Sequence, residues 1–216
     1  MSKTRSKIVC ILLVMAMAVT LFGCGKGDKD KFIGTWNATV NATEVFNDML
    51  ADELGDEMAG YFTFSQFDFV IVFTFNEDDT YTMYIDEDSF MAAMEIVKDD
   101  CKAGLERYFE DMIAAEGLDM TVDELMALSG YTMDELMEEA FGDALTDEMM
   151  DSMKASGKWK ADGGKLFMTE SNDDDNYNEA GYELYEFTSD GIKLVAGDDA
   201  DDELSALYPM NLVKAD

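Results

Sequence analysis

Histidine, cysteine and carboxylates do most protein chemistry, and this chain supplies them unevenly. It has 48 acidic residues, three cysteines and no histidine. The commonest general base and metal ligand is thus missing. No G-x-S-x-G elbow and no P-loop occurs in the sequence. A carboxylate pair can cleave glycosidic bonds, but a chain this acidic distinguishes no pair from the rest. Neither catalysis nor a cofactor is expected. Two acidic runs, Asn172-Asp173-Asp174-Asp175-Asn176 and Asp198-Asp199-Ala200-Asp201-Asp202-Glu203, carry calcium-type oxygens. An EF-hand loop needs a glycine next and a distant glutamate, and Tyr177 stands where that glycine belongs. Both runs read as solvated loops, and no metal site is expected.

The three cysteines have separate fates. Lys3, Arg5 and Lys7 precede an apolar run from Ile8 to Phe22 that ends at Gly23-Cys24. A charged start, a short apolar core and a small residue at the cut describe a secretory signal peptide over residues 1–23. The run has 15 residues, fewer than the roughly 20 a membrane-spanning helix needs. Cysteine directly after the small residue resembles the lipobox of bacterial lipoproteins. That resemblance implies that Cys24 becomes the new N-terminus, is thioether-linked to diacylglycerol and is N-acylated, with palmitate as the expected kind of chain. Two or more acyl chains hold a protein on a membrane stably. The implied location is the extracytoplasmic face of the cell membrane. Residues 24–31 are polar and read as a tether. Cys10 leaves with the signal, so Cys101 is the one thiol left. It lies on an apolar helical stripe and reads as a small buried hydrophobe.

Removing Lys3, Arg5 and Lys7 from the 15 basic residues leaves 12 against 48 acids, a balance of −36 for the mature chain. Nucleic acid is excluded as a partner, since binding it needs a basic footprint. Anionic headgroups also repel such a body over a Debye length, about 8 Å at physiological salt. Residues 86–156 hold 21 of the 48 acids, only slightly above their share, so the acidity belongs to the whole surface.

Two kinds of sequence must position these groups. Strand-like segments occupy 32–85 and 157–216. Phe67, Phe69, Ile71, Phe73 and Phe75 alternate along the clearest of them. Asn76–Asp79 reads as a turn into Thr80–Ile85. Further strands are expected at 31–40, 158–161, 165–170, 182–188, 192–196 and 208–214. Thr43 opens a short helix in which Phe46, Leu50, Leu54 and Met58 recur every four residues. Between the strand blocks, 86–156 reads as helical. Phe90, Met94, Val97, Cys101, Leu105, Tyr108 and Met112 form one helical face, ended by Gly117. Thr121-Val-Asp-Glu and Thr132-Met-Asp-Glu are two capping boxes, and a third helix start is expected at Thr146. Ten of the 18 methionines lie between Met91 and Met153. Flexible thioethers suit a promiscuous apolar groove or a plain helical core.

Eight strand segments in consecutive hairpins predict a mainly β chain with an α insertion: an eight-stranded antiparallel barrel interrupted by the helical block. Gly34-Thr35-Trp36 opens the first strand, and this G-x-W resembles the signature of the lipocalin superfamily, in which the tryptophan plugs one barrel end. The hairpin Asn76–Met83 and the segments 157–166 and 185–194 look like the lipocalin-like domains of bacterial surface lipoproteins. That pattern has no helical block of some 70 residues between its strands, and it carries over no pocket residues. If a ligand enters the barrel, Phe67, Phe69, Phe73, Phe75, Trp36 and Trp159 would line its site; small barrels are usually filled by such side chains instead. The expected function is a lipid-anchored, extracytoplasmic, non-enzymatic binding protein for a small apolar ligand or a protein partner. The alternative is an interaction lipoprotein with a packed barrel, whose acidic helical insertion is the working surface.

Overall fold

Period-two alternation places one apolar face of each strand inside a closed sheet. The computed structural model describes residues 27–142, 150, 151, 153–169, 171, 177, 181–197 and 207–215. The chain runs α1 (Asp28–Phe32), β1 (Gly34–Asn41), α2 (Thr43–Ala59), β2 (Asp68–Phe75), β3 (Thr80–Ile85), α3 (Glu87–Glu116), α4 (Val122–Ser129), α5 (Met133–Ala140), β4 (Ala155–Asp162), β5 (Lys165–Met168), β6 (Tyr182–Phe187), β7 (Gly191–Val195) and β8 (Met210–Lys214). All eight expected strands are present and form a closed barrel in sequence order. Every neighbouring pair is antiparallel, and β1 closes the barrel on β8 through Trp36↔Lys214, Asn37↔Val213 and Ala38↔Leu212. Closure leaves no sheet edge exposed to pairing.

Burial follows the alternation. In β1, Trp36, Ala38 and Val40 are buried and Asn37, Thr39 and Asn41 are exposed. Phe69, Ile71, Phe73 and Phe75 do the same in β2. The tightest link is Asp162-Gly163-Gly164-Lys165, where both glycines have positive φ (61° and 82°), the backbone a two-residue hairpin turn requires. Asn76–Asp79 forms the expected β2–β3 turn, fixed by Asp78 Oδ1, which accepts from the Thr80 amide and hydroxyl at 3.2 and 2.6 Å.

Three expectations need correction. The tether over 24–31 gives way to structure at Asp28, where DKDKF forms a one-turn helix with Phe32 fully buried; its charged residues hide a plug. The helical insertion is shorter than 86–156, because β4 starts at Ala155 and pairs with Met83. The four-residue repeat of α2 breaks at Gly55 (φ 73°, ψ 160°), which leaves Leu54 38 % exposed, while Phe46 and Leu50 pack on the core. Thr146, the 172–176 and 198–203 runs and the helical turn expected at 203–207 fall wholly or mostly outside the described residues.

α3 starts as the sequence requires. Asp86 caps it by accepting from the Ser89 amide, and Gly117 ends it in the left-handed conformation. Phe90, Met94 and Val97 are buried at the mouth of the barrel beneath α3, with the Phe90 ring 6.0 Å from Phe67 and 5.9 Å from Phe69. Further along, α3 leaves the barrel and meets the turn after α2. There Gly104 is obligatory: a Cβ on it would sit 2.7 Å from the Tyr61 carbonyl oxygen. Arg107 donates to the same oxygen at 2.5 Å, and the Tyr61 hydroxyl donates to Asp111 at 2.8 Å.

Candidate functional site

The six residues expected to line a barrel ligand do not enclose one common space. Trp36, Phe75 and Trp159 are 6 %, 1 % and 1 % exposed and gather around Phe32 at the α1 end. Phe32 lies 5.3 Å from Phe75, 5.6 Å from Trp159, 4.9 Å from Tyr185 and 5.5 Å from Phe187, ring centre to ring centre. The Trp36 indole donates to the Phe32 carbonyl at 2.6 Å, and Lys214 stands over the indole at 5.6 Å. Phe73 stacks on Phe75. Phe67 and Phe69 lie at the opposite mouth, where Phe46 and Phe90 meet them. Aromatic clusters lie at the two ends, and Leu166, Ile192, Leu194 and Leu212, all at or below 1 % exposure, belong to the same buried core.

Asp28, Lys29, Lys31 and Tyr185 pair their polar atoms at the α1 end. Lys29 donates to the Glu77 carbonyl at 2.9 Å and pairs with Asp79. The Tyr185 hydroxyl donates to Asp28 at 2.9 Å. Hydrogen bonds from Lys31 and then Tyr185 hold the Asp28 carboxyl below its usual value. Burial, then Asp28, pushes the Tyr185 phenol up to about 12. On the same face of β6 as Tyr185 lies Glu183, whose carboxyl burial pushes up; Tyr208 donates to it at 3.3 Å.

Open space lies elsewhere, among the helices. α4 and α5 begin with the two expected capping boxes. They lay Met126, Met133 and Met137 against α3, all buried. Two clefts of about 570 and 560 Å3 remain between the three helices. They share Glu106, Asp123 and Met133, so they adjoin as one groove. Lys102 reaches across to Asp134 at 2.5 Å and Lys98 to Glu138 at 2.8 Å. Both pairs lie at the surface, where solvent screens them and they contribute little to stability.

Cys101 is half-buried; burial, then the Asp100 charge, pushes its thiol up to about 11, which keeps it protonated and unreactive. Among the described residues, no group of three or more cysteine or acidic side chains is arranged to hold a metal ion, and no helix is long and apolar enough to cross a membrane. Cys24 lies outside the described residues.

Sequence reasoning missed Phe32, although its spacing of four from Trp36 is a usable signal. It also missed the groove, which no local pattern encodes. No family model matches the chain, and no curated protein or solved structure matches it either. The barrel therefore states an architecture, and function has to be argued from individual surfaces.

Proposed function

We propose that the chain is a lipid-anchored, extracytoplasmic, non-enzymatic binding protein in which the barrel is a packed support and the helical insertion meets a protein partner. The observation that carries this reading is the filling of the barrel: Phe32, Phe75, Trp159 and Leu166, from four different segments, are all at or below 1 % exposure. Ligand sites are concave and leave room for what they bind, and two clefts with such room lie between α3, α4 and α5 among the described residues. The anchor follows from the signal-like start and Cys24. With −36 on the mature chain, the body would stand off an anionic bilayer and face outward.

Mass spectrometry of the full chain extracted from host membranes tests both halves of the reading. Under denaturing conditions the mass should exceed that of residues 24–216 by a lipid adduct, and Cys24→Ala should abolish both the adduct and the cleavage. Under native conditions no further molecule should be retained. An unmodified Cys24 refutes the anchor, and a retained apolar molecule of a few hundred daltons moves binding back into the barrel.

A further inference from the structure

We propose that the groove between α3, α4 and α5 receives a basic amphipathic helix from a partner protein. The inference rests on the helical insertion being the working surface and adds the place and the chemistry of the partner.

Three observations select this occupant. The first is the floor. Ile113, Met126 and Met133 lie at its base at 7–8 % exposure, and Leu118 and Tyr131 stand at its margin at 48 % and 47 %. Half-exposed apolar residues beside a preformed cleft are anchor points for an incoming apolar face. Thioethers in the floor and walls adapt to its shape.

The second is the rim. Five carboxylates, Glu106, Glu110, Asp123, Asp134 and Glu135, border the two clefts against one base, Lys102. Lys102 is already paired with Asp134, and Glu135 is held in its capping box. Glu106, Glu110 and Asp123 form no salt bridge among the described residues. A partner with lysine or arginine flanking its apolar stripe supplies the missing charges, whereas an acidic helix or an anionic lipid is repelled.

The third is the pairing of the two clefts along one groove. A helix presents anchors three, four and seven residues apart, so successive turns can enter successive clefts. A small cation matches the rim but leaves the apolar floor uncovered. The exposed outer sheet residues Tyr84 and Val213 offer apolar surface without a charge pattern to choose a partner.

The test uses the full chain in neutral phosphatidylcholine vesicles, with empty vesicles as the blank. Three labelled peptides serve as probes: a lysine–leucine amphipathic helix, its glutamate–leucine counterpart, and a lysine–serine peptide of equal charge. Fluorescence anisotropy should report binding of the lysine–leucine peptide alone, weakening as salt is raised. The triple variant E106Q/E110Q/D123N and, separately, L118S/Y131S should each weaken it about tenfold. Unchanged circular dichroism would verify that both variants are folded. Failure of that peptide to bind overturns the inference, and so does equal binding of the lysine–serine peptide, which would make the rim a plain cation exchanger. Binding that both variants leave intact also overturns the groove. Hydrogen exchange then separates the two claims. Protection elsewhere on the helices keeps the insertion as working surface and discards this site; protection confined to the barrel strands discards both.

Discussion

At one end of the barrel a five-residue helix and a single ring, Phe32, fill the opening. At the other, the long links between β1 and β2 and between β3 and β4 carry all the remaining described helices. The α1 end is made of aromatic rings fixed in edge contacts, with ring centres between 4.9 and 5.6 Å around Phe32. The helical end is made of methionines, a backbone break at Gly55 and two open clefts. Rigid rings with few rotamers give one packing solution. Flexible thioethers over short helices give several of similar energy. α4 and α5 have eight residues each, below the roughly 12–15 at which an isolated helix becomes even marginal in water. They persist through their caps and through the α3 face. The contrast separates a part that sets the fold from a part free to adapt to what it meets.

Phe32→Ala tests that contrast hardest. It removes the plug and leaves a cavity bordered by Phe75, Trp159, Tyr185 and Phe187. Burying a large aromatic and then deleting it costs about 3–5 kcal/mol, and the loss should appear in global unfolding by urea. An effect below about 1 kcal/mol would mean that α1 docks without supporting the barrel, and the two ends would not differ as argued.

The next effect in size falls at the helical end. Thr132→Ala deletes the hydroxyl that accepts from the Glu135 amide at 3.2 Å and breaks a capping box. The expected cost is about 1 kcal/mol, confined to α5. Hydrogen exchange should quicken over Met133–Ala140 while the barrel amides stay protected. If the barrel amides quicken equally, both ends belong to one cooperative unit and the adaptable half of the comparison fails.

How far the sequence predicts this arrangement depends on how local each cause is. The strand Asp68–Phe75 and both capping boxes are legible because their causes lie within a few residues. Barrel closure follows from the count of hairpins, but its register is set by Trp36 meeting Lys214, a pairing across nearly the whole chain. Phe32 reads from the sequence as the start of the first strand behind a charged tether, and only the rings of Phe75, Trp159, Tyr185 and Phe187, on three distant strands, show that it plugs the barrel. Leu54 misleads in the opposite direction: its spacing fits a helix face, and the turn at Gly55 takes that face away from the core. The groove is the extreme case, since it exists only where α3, α4 and α5 fail to fill the space between them.

The smallest effect comes from a hydrogen bond that ties α1 down. The Tyr185 phenol donates to Asp28, and Lys31 bonds the same carboxylate at 3.1 Å. Both contacts lower the Asp28 value from 3.8 in the folded chain. A depressed carboxylate contributes stability that is fully present above its unfolded value and is lost as pH falls through the folded one. Water reaches Asp28, whose side chain is 40 % exposed, so Tyr185→Phe should cost only about 0.5 kcal/mol at neutral pH, the low end for a hydrogen bond. The ring stays against Phe32, so packing is unchanged. Urea unfolding of parent and variant should therefore diverge at pH 7 and converge as pH falls past the ordinary aspartate value into the depressed range of the folded Asp28 carboxyl. A gap that persists undiminished in acid would mean that the phenol acts through packing and not through the Asp28 charge. The α1 end would then be held by its rings alone, which would make the difference between the two ends sharper still.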